Sequence, residues 1–243
     1  MPSSSDRAID LNADLGEGAG EEPLYAWISS ANIACGGHTG DEASMGEAVR
    51  LARLHGVAIG AHPSYPDRPG FGRVTLALSM DVIARAIAEQ IARLQRIAAT
   101  QGAPVAHVKP HGALYVDASM RQDVAGAIAD GAAGLSGSLR LVGLSGSPGL
   151  DVWRRRGFAV AAEGFADRGY AGDGSLVPRA RSNALILDPG LAADQAVRLA
   201  ERGRCDTICI HGDTPGAAAI AAAVRDALEH AGFVVRAQTA RHG

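Results

Sequence analysis

Val105-Ala106-His107-Val108-Lys109-Pro110-His111 begins as an apolar, strand-like run and ends in lysine and histidine. The same grammar recurs on both sides of it. Upstream lie Ala8 to Asp14 (AIDLNAD), Ala31 to Cys35 (ANIAC) and Val57 to His62 (VAIGAH). Downstream lie Leu139 to Ser145 (LRLVGLS), Phe158 to Phe165 (FAVAAEGF) and Thr207 to His211 (TICIH), and a last run, Phe233 to Thr239, is placed to close or extend a sheet.

The intervening segments carry helical spacing. Asp41 to His55 follows a Thr-Gly-Asp cap. Ser79 to Gln101 starts on a capping serine and sets Val82, Ala86, Ile87, Ile91, Leu94 and Ala98 in one stripe. Asp117 to Ala133, Pro148 to Arg156, Leu191 to Gly203 and Pro215 to Ala231 follow. Strand alternating with helix this regularly predicts βαβ units and a parallel sheet, as a closed barrel or a doubly wound layer. No repeat, linker or composition break marks a second domain, and 243 residues suit one α/β barrel.

The ionisable residues fall at the C-terminal ends of the runs. Asn12, Asp14 and Glu17 end the first; His38 and Asp41 follow the second; His62, Asp67 and Arg68 follow the third. Lys109, His111 and Tyr115 end the fourth, Ser145 the fifth, Glu163, Asp167 and Arg168 the sixth, and His211 and Asp213 the Thr207 run. In a parallel barrel these ends share one face, and that face carries the chemistry. An open sheet gathers them at one crevice instead.

Composition narrows the class. With 47% hydrophobic and 20% charged residues the chain builds a large core, and a net charge of -3 gives no electrostatic case for nucleic acid or an anionic membrane. All basic residues but Lys109 are arginine, so a compact, titratable ammonium is singled out at that position. Cys35, Cys205 and Cys209 lack disulfide or CxxC spacing and read as reduced cysteines of a cytoplasmic core. The start, Met-Pro-Ser-Ser-Ser-Asp-Arg, has no apolar leader segment, and no apolar run approaches the ~18–20 residues of a membrane span.

Several chemistries are excluded by motif. The lysine precedes Pro110, so no Walker A loop exists. A GxGxxG turn between strand and helix, a GxSxG elbow and an HExxH helix are also missing. What remains is a carboxylate–histidine–lysine set. Asp14, Glu17, Glu163 and Asp213 are candidate acids or bases, and His38, His62, His111 and His211 candidate proton shuttles or ligands of a divalent metal. Lys109 with Arg68, Arg168 or Arg179 is a candidate anion grip; Asn12, Tyr115, Asp167 and Asp213 complete the candidate binding residues. Such a set fits attack of an activated water on an amide or ester. Asp67 and Arg68 also admit a plain loop ion pair, and Gly164 to Arg179 is a Gly-rich loop placed to cover the site or meet a partner chain.

Six segments together carry a resemblance: IDLNADLGEG (Ile9 to Gly18), SANIACGGHTGD (Ser30 to Asp41), GVAIGAHPSYPDRPGFGR (Gly56 to Arg73), HVKPHGALY (His107 to Tyr115), EGFADRGYAGDGSLVPR (Glu163 to Arg179) and ICIHGDTPGA (Ile208 to Ala217). Over nearly its whole length the chain resembles the LamB/YcsF family, the A subunits of bacterial 5-oxoprolinase. One departure is Gly37, where the family usually has an aromatic. The resemblance implies a seven-stranded (β/α) barrel-like α/β fold of the deacetylase type. It implies ATP-dependent opening of 5-oxo-L-proline to L-glutamate together with B and C subunits, with ATP held at a non-P-loop site or on a partner. Two other readings stay open: a stand-alone metal-dependent hydrolase or deacetylase, and a non-catalytic subunit that binds the lactam.

Overall fold

The structure, a computed structural model, describes residues 7–135 and 137–238. The start read for a leader, up to Asp6, and the Thr239 end of the last expected strand lie outside the described residues. In chain order the elements are β1 (Ala8–Leu15), β2 (Ser30–Ala34), α1 (Glu42–His55), β3 (Ala58–His62), α2 (Met80–Thr100), β4 (Val105–Val108), α3 (Gly112–Met120) and α4 (Gln122–Ala132). Then come β5 (Arg140–Leu144), α5 (Pro148–Arg155), β6 (Val160–Phe165), α6 (Pro189–Glu201), β7 (Thr207–His211), α7 (Ala217–His230) and β8 (Val234–Val235).

Strands β2 to β7 pair in sequence order, all parallel, and β1 joins β7 to β2. Of the two architectures left open by strand–helix alternation, the closed seven-stranded barrel is the one formed. The short β8 extends the wall without adding to the closure. The Ile9 carbonyl accepts from Arg236 N at 2.9 Å and the Leu11 carbonyl accepts from Ser29 N at 2.8 Å. Alternate residues share one edge of a strand, so β8 continues β1's partner row below β2.

Burial on both sides explains why the strands read as they do. In β1, Ile9, Leu11, Ala13 and Leu15 join the apolar core under the helices, while Asp10, Asn12 and Asp14 are buried in the lumen. Gly60 is required by a close approach: a Cβ there would overlap the imidazole of His107, which crosses the lumen to Asn32. Helix α1 starts on a capping box, the Asp41 carboxylate accepting from Ser44 N and the Ser44 hydroxyl from Asp41 N.

Three local expectations change. The segment 117–133, expected as one helix, is α3 and α4 broken at Arg121, whose backbone is extended (φ -116°, ψ 113°). No Gly or Pro marks that break. In α2 the buried stripe runs through Ile83, Ile87, Ile91 and Leu94, and Val82 is turned out, 36% exposed. Ser79 occupies the cap position of α2 but its side chain makes no capping bond. No helix among the described residues is long and apolar enough to cross a membrane.

Candidate active site

The upper lumen is built around Lys109, just past β4 and 2% exposed. Its Nζ lies 2.8 Å from Asp14 Oδ1, 2.9 Å from Glu163 Oε1 and 2.9 Å from Cys209 Sγ, with Asn12 Oδ1 at 3.3 Å. Burial opposes the ammonium's charge, but Asp14, Cys209 and Glu163 outweigh it and hold Lys109 well above its ordinary value. Below, the Asn12 amide donates to Glu163 Oε1 at 3.0 Å and Thr207 Oγ1 at 2.6 Å, and the Asn32 amide donates to Asn12 Oδ1 at 2.7 Å. Asp10 closes the bottom, accepting from the hydroxyls of Ser29, Ser30 and Thr207, each at 2.6 Å. Lys109's donors are therefore consumed by the protein's own acceptors.

Beside Lys109 a second cluster is different in kind. His62 gives Nδ1–H to the Lys109 carbonyl at 2.7 Å, and His111 faces the Phe71 carbonyl with Nε2 at 3.0 Å. In the neutral rings these partners assign the lone pairs to His62 Nε2 and His111 Nδ1. Those two atoms face each other at 3.0 Å. Glu17 Oε1 lies 3.1 Å from His111 Nδ1 and 3.7 Å from His62 Nε2, and Asp14 Oδ2 lies 3.4 Å from His62 Nε2. Lone pairs and carboxylates converging in a buried space require one positive charge, a proton or a metal ion. Burial opposes charge on both partners, yet the carboxylates hold His62 above its ordinary range while the imidazoles hold Glu17 well below its own. His38 stacks on His111 at 3.7 Å and places Nε2 2.8 Å from Glu17 Oε1. Burial pushes His38 down to about 4, so it is a neutral donor that orients Glu17.

The loop after β3 supplies the remaining constraint. Phe71 adopts φ +54°, in the left-handed region that costs a non-glycine residue about 1–2 kcal/mol. That conformation accompanies a carbonyl placed on His111 and a ring edge-on to His38 and His111.

Two groups of side chains are spaced as metal holders. Glu17, His38 and His111 place ligand atoms within 4.8 Å of one another, as do Asp14, Cys209 and His211. The first region fits: His62 and His111 anchor their far nitrogens on backbone carbonyls, which is how metal-binding imidazoles are commonly oriented. The second does not fit, because the Lys109 ammonium already lies against both Asp14 and Cys209, and burial pushes the Cys209 thiol well up.

A cavity of about 370 Å³ opens over these groups, lined by Asp14, Glu17, His62, Lys109, His111, Tyr115, Arg168, Arg179, His211 and Asp213 among others. Its far wall is fully paired. Asp167 is buried and accepts from His211 N at 3.0 Å and Thr214 Oγ1 at 2.7 Å, with His211 Nδ1 at 3.0 Å. At the rim Asp213 binds Arg73 at 2.7 Å and Arg179 at 2.7 and 2.9 Å. Tyr115 meets Phe165 edge-on, and burial, with the Glu163 carboxylate beside its hydroxyl, pushes the phenol well up.

The four histidines expected at strand ends do reach one end of the barrel, but only His62, His111 and His211 line the cavity. Asn12, Glu163 and Asp167 are buried away from the lining. Arg68 is not part of it: its guanidinium caps the Gly36 and Gly40 carbonyls at 3.3 and 3.0 Å. Nor does it pair with Asp67, which accepts from Gly70 N at 2.9 Å. Arg168 lines the cavity but its donors go to the Ala184 and Val177 carbonyls. The cations at the rim are Arg179 and Arg73, and Arg73 was missed, although it ends a loop of Pro and Gly residues directly after a histidine-bearing strand. Gly37 is explained by Gln90, whose amide bonds Ser64 N and O at 3.0 and 2.9 Å and occupies the space where a Cβ at 37 would point.

Comparisons with known proteins agree with this architecture. The chain is 47% identical to the A subunit of 5-oxoprolinase from Chloroflexus aggregans, over 94% of this chain and 98% of that one. The crystal structure of the lactam utilization protein from Thermus thermophilus is 41% identical, with TM-score 0.88 over 95% of this chain and 100% of that one. The catalytic domain of a peptidoglycan N-acetylglucosamine deacetylase from Eubacterium rectale shares the fold alone, at 11% identity and TM-score 0.55 over 98% and 90% of the two chains. The sequence profile of the LamB/YcsF family matches residues 9–242, and the chain belongs to that family.

Proposed function

We propose that this chain is the A subunit of a 5-oxoprolinase, opening 5-oxo-L-proline to L-glutamate with ATP and with separate B and C subunits. The observation that carries the reading is the nest of His62, His111 and Glu17 at the floor of a cavity sized for a small molecule. The names of relatives at 42–47% identity supply the substrate.

An unstrained lactam is a poor electrophile. Transfer of the γ-phosphoryl group of ATP to the lactam oxygen releases ADP and makes the ring carbon attackable. A water gives its proton to the base and adds to that carbon. Collapse breaks the C–N bond, the nitrogen takes a proton, and γ-glutamyl phosphate results. A second water hydrolyses it to glutamate and phosphate. In this scheme His62 or His111 moves the proton, with Asp14 and Glu17 setting the charge around them. Arg179 and Arg73 at the rim receive the substrate carboxylate by exchanging it for Asp213. The same lone pairs fit a divalent metal, held by His62, His111 and Glu17, which when bound would supply Lewis-acid polarisation of an oxygen.

The test follows labelled 5-oxoproline with this chain alone and with its B and C partners, each with and without ATP. Label appears in glutamate only in the complete, ATP-containing mixture. Turnover by this chain alone without ATP, lost to a chelator, would establish the stand-alone hydrolase instead.

A further inference from the structure

The loop that carries Glu17 out of β1 closes on a carboxylate. Gly16 N donates to Glu21 Oε2 at 2.6 Å, and Glu17 N and Gly18 N donate to Glu21 Oε1 at 3.0 and 2.8 Å. Three successive backbone N–H groups aimed at one point form a nest that suits an anion, and here the chain supplies its own. A carboxylate offers two oxygens and no hydrogen, so it serves all three donors, whereas a side-chain amide would turn its NH2 group against them. The charge of Glu17 repels that of Glu21, so this cap is held in place against electrostatics.

Stiffness is unevenly distributed along this segment. Gly16 (φ +74°) and Gly20 (φ +82°) hold left-handed backbone that glycine adopts readily, and Gly18 lies between them, so the loop has little rigidity of its own. Glu21 does not share that freedom. It precedes a 3₁₀ turn over Glu22–Ala26, its carbonyl accepts from Leu24 N at 3.0 Å, and Leu24 and Tyr25 are buried in the core. The carboxylate is an anchored post, and the loop hangs on it. What hangs there needs exact placement: Glu17 Oε1 lies 2.8 Å from His38 Nε2, 3.1 Å from His111 Nδ1 and 3.7 Å from His62 Nε2, one atom among three rings. Glu21 itself does not line the cavity.

We propose that Glu21 is a positioning residue: by capping the backbone of residues 16–18 it fixes the Glu17 carboxylate among His38, His62 and His111. A group misplaced by about 1 Å at a reacting centre costs up to about 10²-fold in rate. Glu17 released from this anchor no longer sets the charge on the imidazole pair, although Glu21 lies outside the cavity. Only the expected loss of turnover rests on the proposed 5-oxoprolinase reaction; the placement of Glu17 is independent of it.

The test compares Glu21→Gln, which keeps the side chain's size but sets an NH2 group among the donors, with Glu17→Gln. In the full chain, uncomplexed, nitrogen NMR of the imidazoles reads the placement without any reaction. Glu21→Gln moves the His38 and His111 signals in the same direction as Glu17→Gln and leaves His107, in the lumen, unmoved. In the three-subunit enzyme Glu21→Gln lowers kcat about 10- to 100-fold with KM within about a factor of two. In the Glu17→Gln background the same change lowers kcat less than about twofold, since a residue acting through another adds nothing once that one is gone. Glu21→Asp, one methylene short of the nest, gives the same pattern at smaller size and carries the test where Glu21→Gln does not fold. Native His38 and His111 signals, an unchanged kcat, or equal losses in both backgrounds each overturns the proposal. If the native three-subunit mixture converts no 5-oxoproline, the proposed function falls and the imidazole signals alone decide the role of Glu21.

Discussion

The lumen under Lys109 and the nest beside it are built from the same residue types and behave oppositely. In the lumen every charge is answered: Lys109 by Asp14 and Glu163, Asn12 by Asn32 and Thr207, Asp10 by three hydroxyls. In the nest, the lone pairs of His62 and His111 face each other and the carboxylates of Asp14 and Glu17, and no donor lies between the two imidazoles. A saturated network fixes geometry, and an unsaturated one is ready to take a proton, a metal ion or a water. The difference separates a saturated histidine, His107, from the unsaturated pair His62 and His111 within one barrel end.

The largest effect expected from this contrast is on turnover. His62→Ala and His111→Ala each lower glutamate release by the three-subunit enzyme about 10²- to 10⁴-fold, the range for loss of a positioned acid or base, with thermal unfolding nearly unchanged. Near-normal turnover in either folded variant removes the nest from the chemistry. The lumen should fail the other way. Lys109→Ala leaves Asp14 and Glu163 buried without their cation and costs about 3–5 kcal/mol of stability, read by denaturant unfolding. An unchanged midpoint would show that the ammonium is not structural and return Lys109 to the set of substrate contacts. At the rim, Arg179→Ala raises KM roughly 10- to 100-fold and leaves kcat within a factor of a few, as for an interaction made equally with bound substrate and transition state. A fall in kcat at constant KM would move Arg179 into the reacting zone.

Much of this contrast was legible in the residues. Thr207 to His211 is the strand as read, and every other strand but the two-residue β8 differs by no more than three residues at either end. That Asp14, His62, Lys109 and His211 share one cavity was legible because each ends or follows a strand. The lumen was missed, although its signal exists: Asp10, Asn12 and Asp14, then His107 and Lys109, alternate with apolar residues in strands buried on both faces. In a barrel covered by helices, one of those faces is the interior, and a polar residue at every second position belongs there. What no strand pattern carries is where an arginine's long side chain ends. Arg68 and Arg168 spend their donors on loop carbonyls, while Arg73 crosses to Asp213, a partner 140 positions away. The split at Arg121 was equally silent, since apolar spacing continues through it.

His107 in the lumen and His62 in the nest should also titrate in opposite directions. Burial, then the charges of Lys109 and Arg140, pushes His107 down to about 3, and it stays neutral in the lumen. In the unfolded chain it takes up a proton near 6.5. Between about 6.5 and 3 the unfolded state therefore binds more protons, and stability falls as pH falls, by at most about 1.4 kcal/mol per pH unit for this residue. His62 has the reverse sign. Its folded value is raised by Asp14 and Glu17 against burial, so its contribution is complete below about 6.5 and is lost as pH rises through that raised value. The carboxylates held low, Asp14 and Glu17, titrate below the window that isolates the histidines, pH 5 to 6.5. Denaturant unfolding across that window should show stability declining toward acid in the native chain. The decline should be shallower in His107→Gln, which keeps a donor for Asn32 but cannot titrate. His38, pushed down to about 4 by burial, and His111, also pushed down by burial, keep the slope from vanishing. If His107→Gln and the native chain fall in parallel, His107 is protonated in the fold, and the lumen is not the saturated, neutralised network that sets it apart from the nest.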